Sequence, residues 1–192
     1  MHLLSYDSSQ ILLEPSVITI GSFDGVHLGH QELLKKVCDF TRKKQYKSVV
    51  VTFDPHPQEV LQNRPNFFLI NTIDQKIILF EKLGIDTVFV IPFTKDISQM
   101  KPTDFLEKYV FSKINVKAIF MGPNHHFGKQ REGDANTLIR ICEEKKIEFF
   151  MIPEYKIKNY KVRSTLIRNY LELKDYANAK KLMGHDLIAN FA

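Results

Sequence analysis

Cysteine is scarce: Cys38 and Cys142 are the only two in 192 residues. Two thiols supply neither a disulfide framework nor a Cys-rich zinc module, and they fit a reducing compartment. Long apolar runs are missing as well, since no stretch approaches the ~20 residues that span a bilayer. Residues Met1 to Asp7 carry no basic stretch leading into an apolar run with a small-residue cleavage site. A cytoplasmic address with no membrane partner is therefore expected. Internal repeats, low-complexity tracts and interdomain linkers are absent too. A single domain over residues 1–192 is expected, with 155–192 as its tail.

Positive charge is only weakly in excess. The count is 27 Lys+Arg against 22 Asp+Glu, a formal net charge of +5. The runs Arg42-Lys43-Lys44 and Glu143-Glu144-Lys145-Lys146 fall at expected helix ends, where lysines favour the helix dipole. No stripe interleaves aromatic with basic residues, so no nucleic-acid partner is expected. A small polyanion such as a nucleotide suits this balance.

What is present is a core and a pattern. Hydrophobic residues make up 44% of the chain, which excludes a disordered protein. Short β-rich runs alternate with helical stretches. Residues 17–20, 49–53, 87–91, 118–121 and 147–152 read as strands, and 31–42 as the first helix. Val49-Val50-Val51-Thr52-Phe53 is apolar at nearly every position, as a parallel sheet covered on both faces requires. Thr72 with Gln75 reads as a capping box for a helix that stops at Gly84, Pro102 opens another towards Ser112, and a further helix is expected from about Asn136 to Lys145. The expected fold is α/β, a Rossmann-like doubly wound parallel sheet with a small C-terminal helical tail holding a short hairpin. Ligands in that architecture bind beyond the carboxyl ends of the strands.

The sharpest motif is Gly21-Ser22-Phe23-Asp24-Gly25-Val26-His27-Leu28-Gly29-His30, between the first strand and the first helix. Its glycines allow close backbone approach, and a helix N-terminus offers free N–H groups to phosphate. His27 and His30, three apart, face one ligand and can stabilise developing phosphate charge. No Gly-Lys-Ser/Thr follows, so a Walker loop is excluded, and the spacing is wrong for a dinucleotide fingerprint. Taken alone, a tight turn with two incidental histidines stays open. So does a plain loop for the Pro-framed turn Phe53-Asp54-Pro55-His56-Pro57, and a simple helix N-cap for Ser164-Thr165.

Together these residues resemble a known family. The first motif resembles the His-x-Gly-His signature of the nucleotidylyltransferase superfamily. Its longer form is similar to the FMN adenylyltransferase (FAD synthetase) module of bacterial bifunctional riboflavin kinase/FMN adenylyltransferases. Thr52 to Pro57, Gly122 to Gly128 with Arg131 and Gly133-Asp134, and Ser164-Thr165-Leu166-Ile167-Arg168 resemble three further family segments, in order. The resemblance implies transfer of an adenylyl group from ATP to FMN, giving FAD and pyrophosphate, with Mg²⁺ accompanying ATP and no protein metal site. It implies catalytic roles for His27 and His30. It places ATP at Gly21, Ser22, Phe23, Asp24, Gly29, Asn124, Ser164, Thr165 and Arg168, the last three on the triphosphate. It places the flavin at Phe53, Asp54, Pro55, His56 and Pro57.

Departures are confined. Pro123, His125 and His126 replace an aromatic, a Phe and an Arg that many members carry, and Arg163 replaces a Ser. Adjacent histidines are poorly placed to share one ion, so no metal is expected there. No segment resembling the riboflavin kinase module follows, so kinase activity is not expected. A different phosphorylated acceptor, or a non-catalytic flavin- or nucleotide-binding module, are the rival readings.

Overall fold

In the computed structural model, residues 1–7, 9–62, 64–123, 125–157 and 160–186 are described. Six strands form one parallel sheet: β1 (His2–Ser5), β2 (Leu12–Ile20), β3 (Lys47–Phe53), β4 (Thr87–Ile91), β5 (Ile114–Met121) and β6 (Glu148–Met151). Their spatial order is β1-β4-β3-β2-β5-β6. The chain winds outward from β2 through β3 to β4, then returns to β5 on the other side of β2 and on to β6. The β2/β5 boundary is thus the point where strand order reverses, the place where open α/β sheets bind ligands. The expected sheet is present with one strand more: the edge strand β1 pairs with β4 in the register Leu3 to Val88.

The consecutive apolar residues divide between two faces, because strand side chains alternate. Ile18, Ile20, Val49, Val51, Phe89 and Ile119 face one core. It is covered by Phe105 and Leu106 and by Leu138 and Ile141 of helix α6 (Ala135–Lys145). Phe105 closes the short α5 (Pro102–Phe105), which runs on as a π-helical stretch from Leu106 to Phe111. Val17, Val50, Val88 and Phe120 face the other core. There they meet Leu33, Leu34 and Val37 of α1 (Leu28–Lys44), and Leu79 and Phe80 of α3 (Ile73–Lys82). Thr72 caps α3 with Gln75 completing the box, and Gly84 follows at φ +82°. Two further short helices, α2 (Pro57–Leu61) and α4 (Lys95–Ser98), lie beyond the ends of β3 and β4. No helix among the described residues is long and apolar enough to cross a membrane.

The tail holds a two-stranded hairpin, β7 (Lys156–Ile157) with β8 (Tyr160–Lys161), then α7 (Ser164–Glu172) and α8 (Tyr176–Met183). Ile167, Leu171, Leu182 and Met183 bury a third, smaller core together with Ile70. Gln31 is among the side chains that fasten this tail to the first motif: its Nε2 amide donates to Val26 O at 2.8 Å and to Met183 O at 2.6 Å. Gly184 ends α8 at φ +72°, and a Cβ there would come within 2.3 Å of Leu28 Cδ2.

Gly184→Ala forces an L side chain into the left-handed region against Leu28. The left-handed penalty of about 1–2 kcal/mol sets the expected loss of stability. For a domain of this size that lowers Tm by roughly 3–8 °C, read by thermal denaturation.

Candidate active site

The first motif is a strained loop fixed at both ends. The Gly21 amide donates to Val51 O at 3.0 Å, and the Val26 amide to Phe23 O at 3.0 Å. Phe23 (φ +50°) and Val26 (φ +35°) occupy a region that L-residues rarely visit, and such strain persists only where surroundings over-determine it. Phe23 is held edge-on against Phe80 (ring centroids 5.7 Å apart) and His30 (5.1 Å).

His27 is the N-cap of α1, its Nδ1 accepting the His30 backbone N–H at 3.2 Å. The two imidazoles stack with centroids 3.6 Å apart and planes 10° apart. A Cβ on Gly29 would lie 3.2 Å from His27 Cε1, so glycine there leaves room for this ring. Because Nδ1 of His27 accepts, the neutral ring carries its proton on Nε2 and has a donor to offer. Burial brings the His27 pKa down to about 4 and holds His30 well below the ordinary histidine range, with His27 and Lys76 adding to the latter. Both rings are therefore neutral hydrogen-bonding groups at pH 7. Among the described residues the buried His30 Nδ1 has no partner.

His56 repeats the device in the second motif. Its Nδ1 accepts the Gln58 N–H at 3.0 Å as N-cap of α2, while Glu59 Oε2 accepts the His56 N–H at 2.8 Å. It stacks on Phe67 (4.8 Å), and burial, with Lys76, Arg168 and Arg64, brings its pKa to about 3.

Asp24 and Arg168 are placed otherwise than the sequence suggests. Neither is among the lining residues of the two clefts described below; they form a buried ion pair with each other. Asp24 also accepts the Ile70 N–H (3.0 Å) and the Asn71 N–H (3.0 Å). Arg168 Nε donates to Phe68 O at 2.9 Å, and its guanidinium lies 4.5 Å from the centroid of Phe67. Burial pushes the Asp24 carboxyl up, against the pull of Arg168 and of the two amides. The physical reason for the difference is that Arg168 spends its Nε and one Nη on an interior carbonyl and carboxylate, so that edge of the guanidinium is not offered to phosphate. Ser164 is not the N-cap of α7 either. Arg163 holds that position by its backbone, its side chain being bonded to Glu154, and Ser164 Oγ donates to Asp24 O at 2.8 Å.

Two clefts open beyond the strand ends. One, of about 310 Å³, is lined by Gly21, Ser22, Phe23, His27, Gly29, His30, Ser164 and Thr165, with Gly122 and Pro123 after β5. The structure thus brings together most residues expected at the nucleotide; Asn124 lies outside the described residues. The other cleft, of about 530 Å³, is lined by Phe53, His56 and Pro57 together with Phe93, Phe105 and Phe127. Asp54 and Pro55, joined by a cis peptide, are exposed and frame it from outside. Ser22 and His125 belong to both linings, so the clefts adjoin. Burial brings the His125 pKa to about 4, and its buried Nε2 has no partner among the described residues.

Arg163 lines the cleft that holds the histidine pair, but its charge is engaged by Glu154, which also pairs with Lys161. Two cations near the clefts escaped the sequence reading. Arg64 donates to Thr165 Oγ1 at 3.2 Å, and buried Lys76 donates to Ser22 O at 3.1 Å. Among the described residues no group of three or more His, Cys, Asp or Glu could hold a metal ion.

The model of the FAD synthetase family matches residues 9–166. The chain belongs to the FAD synthetase family. Two proteins called bifunctional riboflavin kinase/FMN adenylyltransferase are similar to this FAD synthetase family member over 170 residues, 88% of its length. One, from Buchnera aphidicola subsp. Schizaphis graminum, is 33% identical, and one from Listeria monocytogenes 31%. A third of the same description, from Escherichia coli K12, is 27% identical over 180 residues, 94% of this chain and 58% of its own. The chain spans about half, 54%, of the length of the first two. A crystal structure titled as a macrolide-efflux protein from Streptococcus pneumoniae shares the fold, with a TM-score of 0.86 and 24% identity. The likeness covers 97% of this chain and 72% of that one.

Removing one member of a buried pair leaves a charge without its counterion. Asp24→Asn is therefore expected to cost about 3–5 kcal/mol in urea denaturation. The buried histidines set a pH dependence. Their folded pKa values lie below the ordinary 6.5, so unfolded chains bind more protons as pH falls. Their contribution is complete above pH 6.5 and is lost as pH falls from there towards 4 and 3. Tm should drop between pH 7 and 5, and His56→Asn, a cap that does not titrate, should flatten that drop.

Proposed function

We propose that this chain transfers the adenylyl group of ATP to FMN. The observation that carries the reading is the pair of adjoining clefts at the β2/β5 switch point. The cleft with the histidine pair, Ser164 and Thr165 takes ATP; the aromatic one with Phe53, His56 and Pro57 takes the flavin. Their common wall, Ser22 and His125, sits where the two phosphates meet. Family membership supports the same assignment.

The chemistry needs little from the protein beyond placement. An FMN phosphate oxygen attacks the α-phosphorus of ATP in line. One P–O bond forms, the bond from the α-phosphorus to the bridging oxygen breaks, and pyrophosphate leaves with the electron pair. The nucleophile is already an anion, so no general base is required. His27 donates from Nε2, and with His30 stabilises the charge that builds on the transferring phosphate. Gly21, Ser22, Phe23 and Gly29 give backbone access, while Ser164 and Thr165 hold the outer phosphates. Asp24 and Arg168 act at a distance, by fixing the loop and α7. Mg²⁺ enters with ATP as part of the substrate, since it binds through phosphates and retained waters.

Incubation of the protein with FMN, ATP and Mg²⁺, with flavins resolved by chromatography, should give FAD in proportion to protein and none from riboflavin. An absence of FAD overturns the proposal in favour of another acceptor or a binding role. His30→Ala should lower turnover by about 10²–10³-fold with the fold retained by circular dichroism; a near-native rate removes its assigned part.

A further inference from the structure

Lys76 sits on α3, buried to 3% exposure, and its ammonium donates to Ser22 O. It forms no ion pair among the described residues. The carboxylate that acts on it most, Asp24, is engaged by Arg168. Asp54 and Glu59 act on it more weakly, and His30 and His56 in turn feel the ammonium. Taking an ammonium out of water without a partner is costly, so such a group is kept for something it does.

What it grips is one peptide. Ser22 O accepts from Lys76 Nζ at 3.1 Å and from Thr52 Oγ1 at 3.4 Å. The Ser22–Phe23 peptide is trans, and across a trans peptide the C=O and N–H point to opposite sides. Holding the oxygen inward, against α3 and β3, turns the Phe23 N–H the other way. Ser22 and Phe23 both line the nucleotide cleft, and the Phe23 N–H has no protein acceptor among the described residues.

We infer that Lys76 is a positioning residue that anchors the Ser22 carbonyl, and thereby presents the Phe23 amide, to bind phosphate oxygens in the nucleotide cleft. The inward carbonyl also removes a negative dipole from the place where anions must sit. The unpaired ammonium behind it adds attraction through a medium that screens poorly. This inference deepens the reading of that cleft as the ATP site and rests on it.

The test uses inorganic pyrophosphate as probe on the full chain, with FMN as control. Lys76→Met should weaken pyrophosphate binding, read by calorimetry, about ten- to a hundredfold, the range for a hydrogen bond to a charged group. FMN binding, read by quenching of flavin fluorescence, should be unchanged, and Lys76→Arg should restore pyrophosphate binding to within about threefold. Pyrophosphate binding by Lys76→Met equal to that of the unaltered protein overturns the inference, as does equal loss of both ligands. A second measurement needs no variant. In an amide NMR titration of the unaltered protein, pyrophosphate should shift the Phe23 resonance, and binding without that shift overturns the inference. If the protein makes no FAD, the proposed reaction fails, while the pyrophosphate titrations still decide the part of Lys76.

Discussion

The buried pair of Asp24 and Arg168 is the constraint on which the site hangs. It joins the loop after β2 to α7, while the amides of Ile70 and Asn71 bind the same carboxylate from the segment before α3. Three stretches remote in sequence thus converge on one carboxyl group. Through Asp24 the backbone oxygen that Ser164 bonds is fixed as well, so the hydroxyl of the tail and the histidines of α1 come to face one cleft. A charge pair with its remaining lone pairs filled by amides satisfies the condition under which buried ions are tolerated.

A second theme is the use of histidine where helices ordinarily begin with Asn, Asp or Ser. His27 and His56 each accept a backbone N–H through Nδ1, one in each signature segment. The cap fixes the tautomer, and the tautomer decides which nitrogen is left to meet a ligand. Local helix geometry and the chemistry of the cleft are therefore set by the same proton.

Much of this was legible in the sequence. The strands over 49–53 and 87–91, the Thr72 capping box and the stop at Gly84 rest on local patterns, and local patterns survive folding. The signature segments stood out because they follow strands and resemble a known family, whereas Phe93 and Phe105 of the wider cleft belong to no such segment. What escaped depended on distance or on averages. Asp24 and Arg168 are 144 residues apart, so no spacing rule links them. Lys76 on an amphipathic helix reads as a solvated residue, yet it is buried. β1, with only Leu4 buried, offers four residues of weak alternation and is recruited by pairing with β4.

The length of that separation bears on how the molecule comes to be made. Synthesis runs from the N-terminus, and domains begin to organise as they emerge. The loop of Asp24 appears early, whereas the arginine that completes it belongs to a segment that follows every strand of the main sheet. Until α7 docks, a lone carboxylate has no reason to leave water. The cleft shared by His27 and Ser164 accordingly takes shape only once α7 has docked, and a nascent chain carries its main sheet before it carries that cleft.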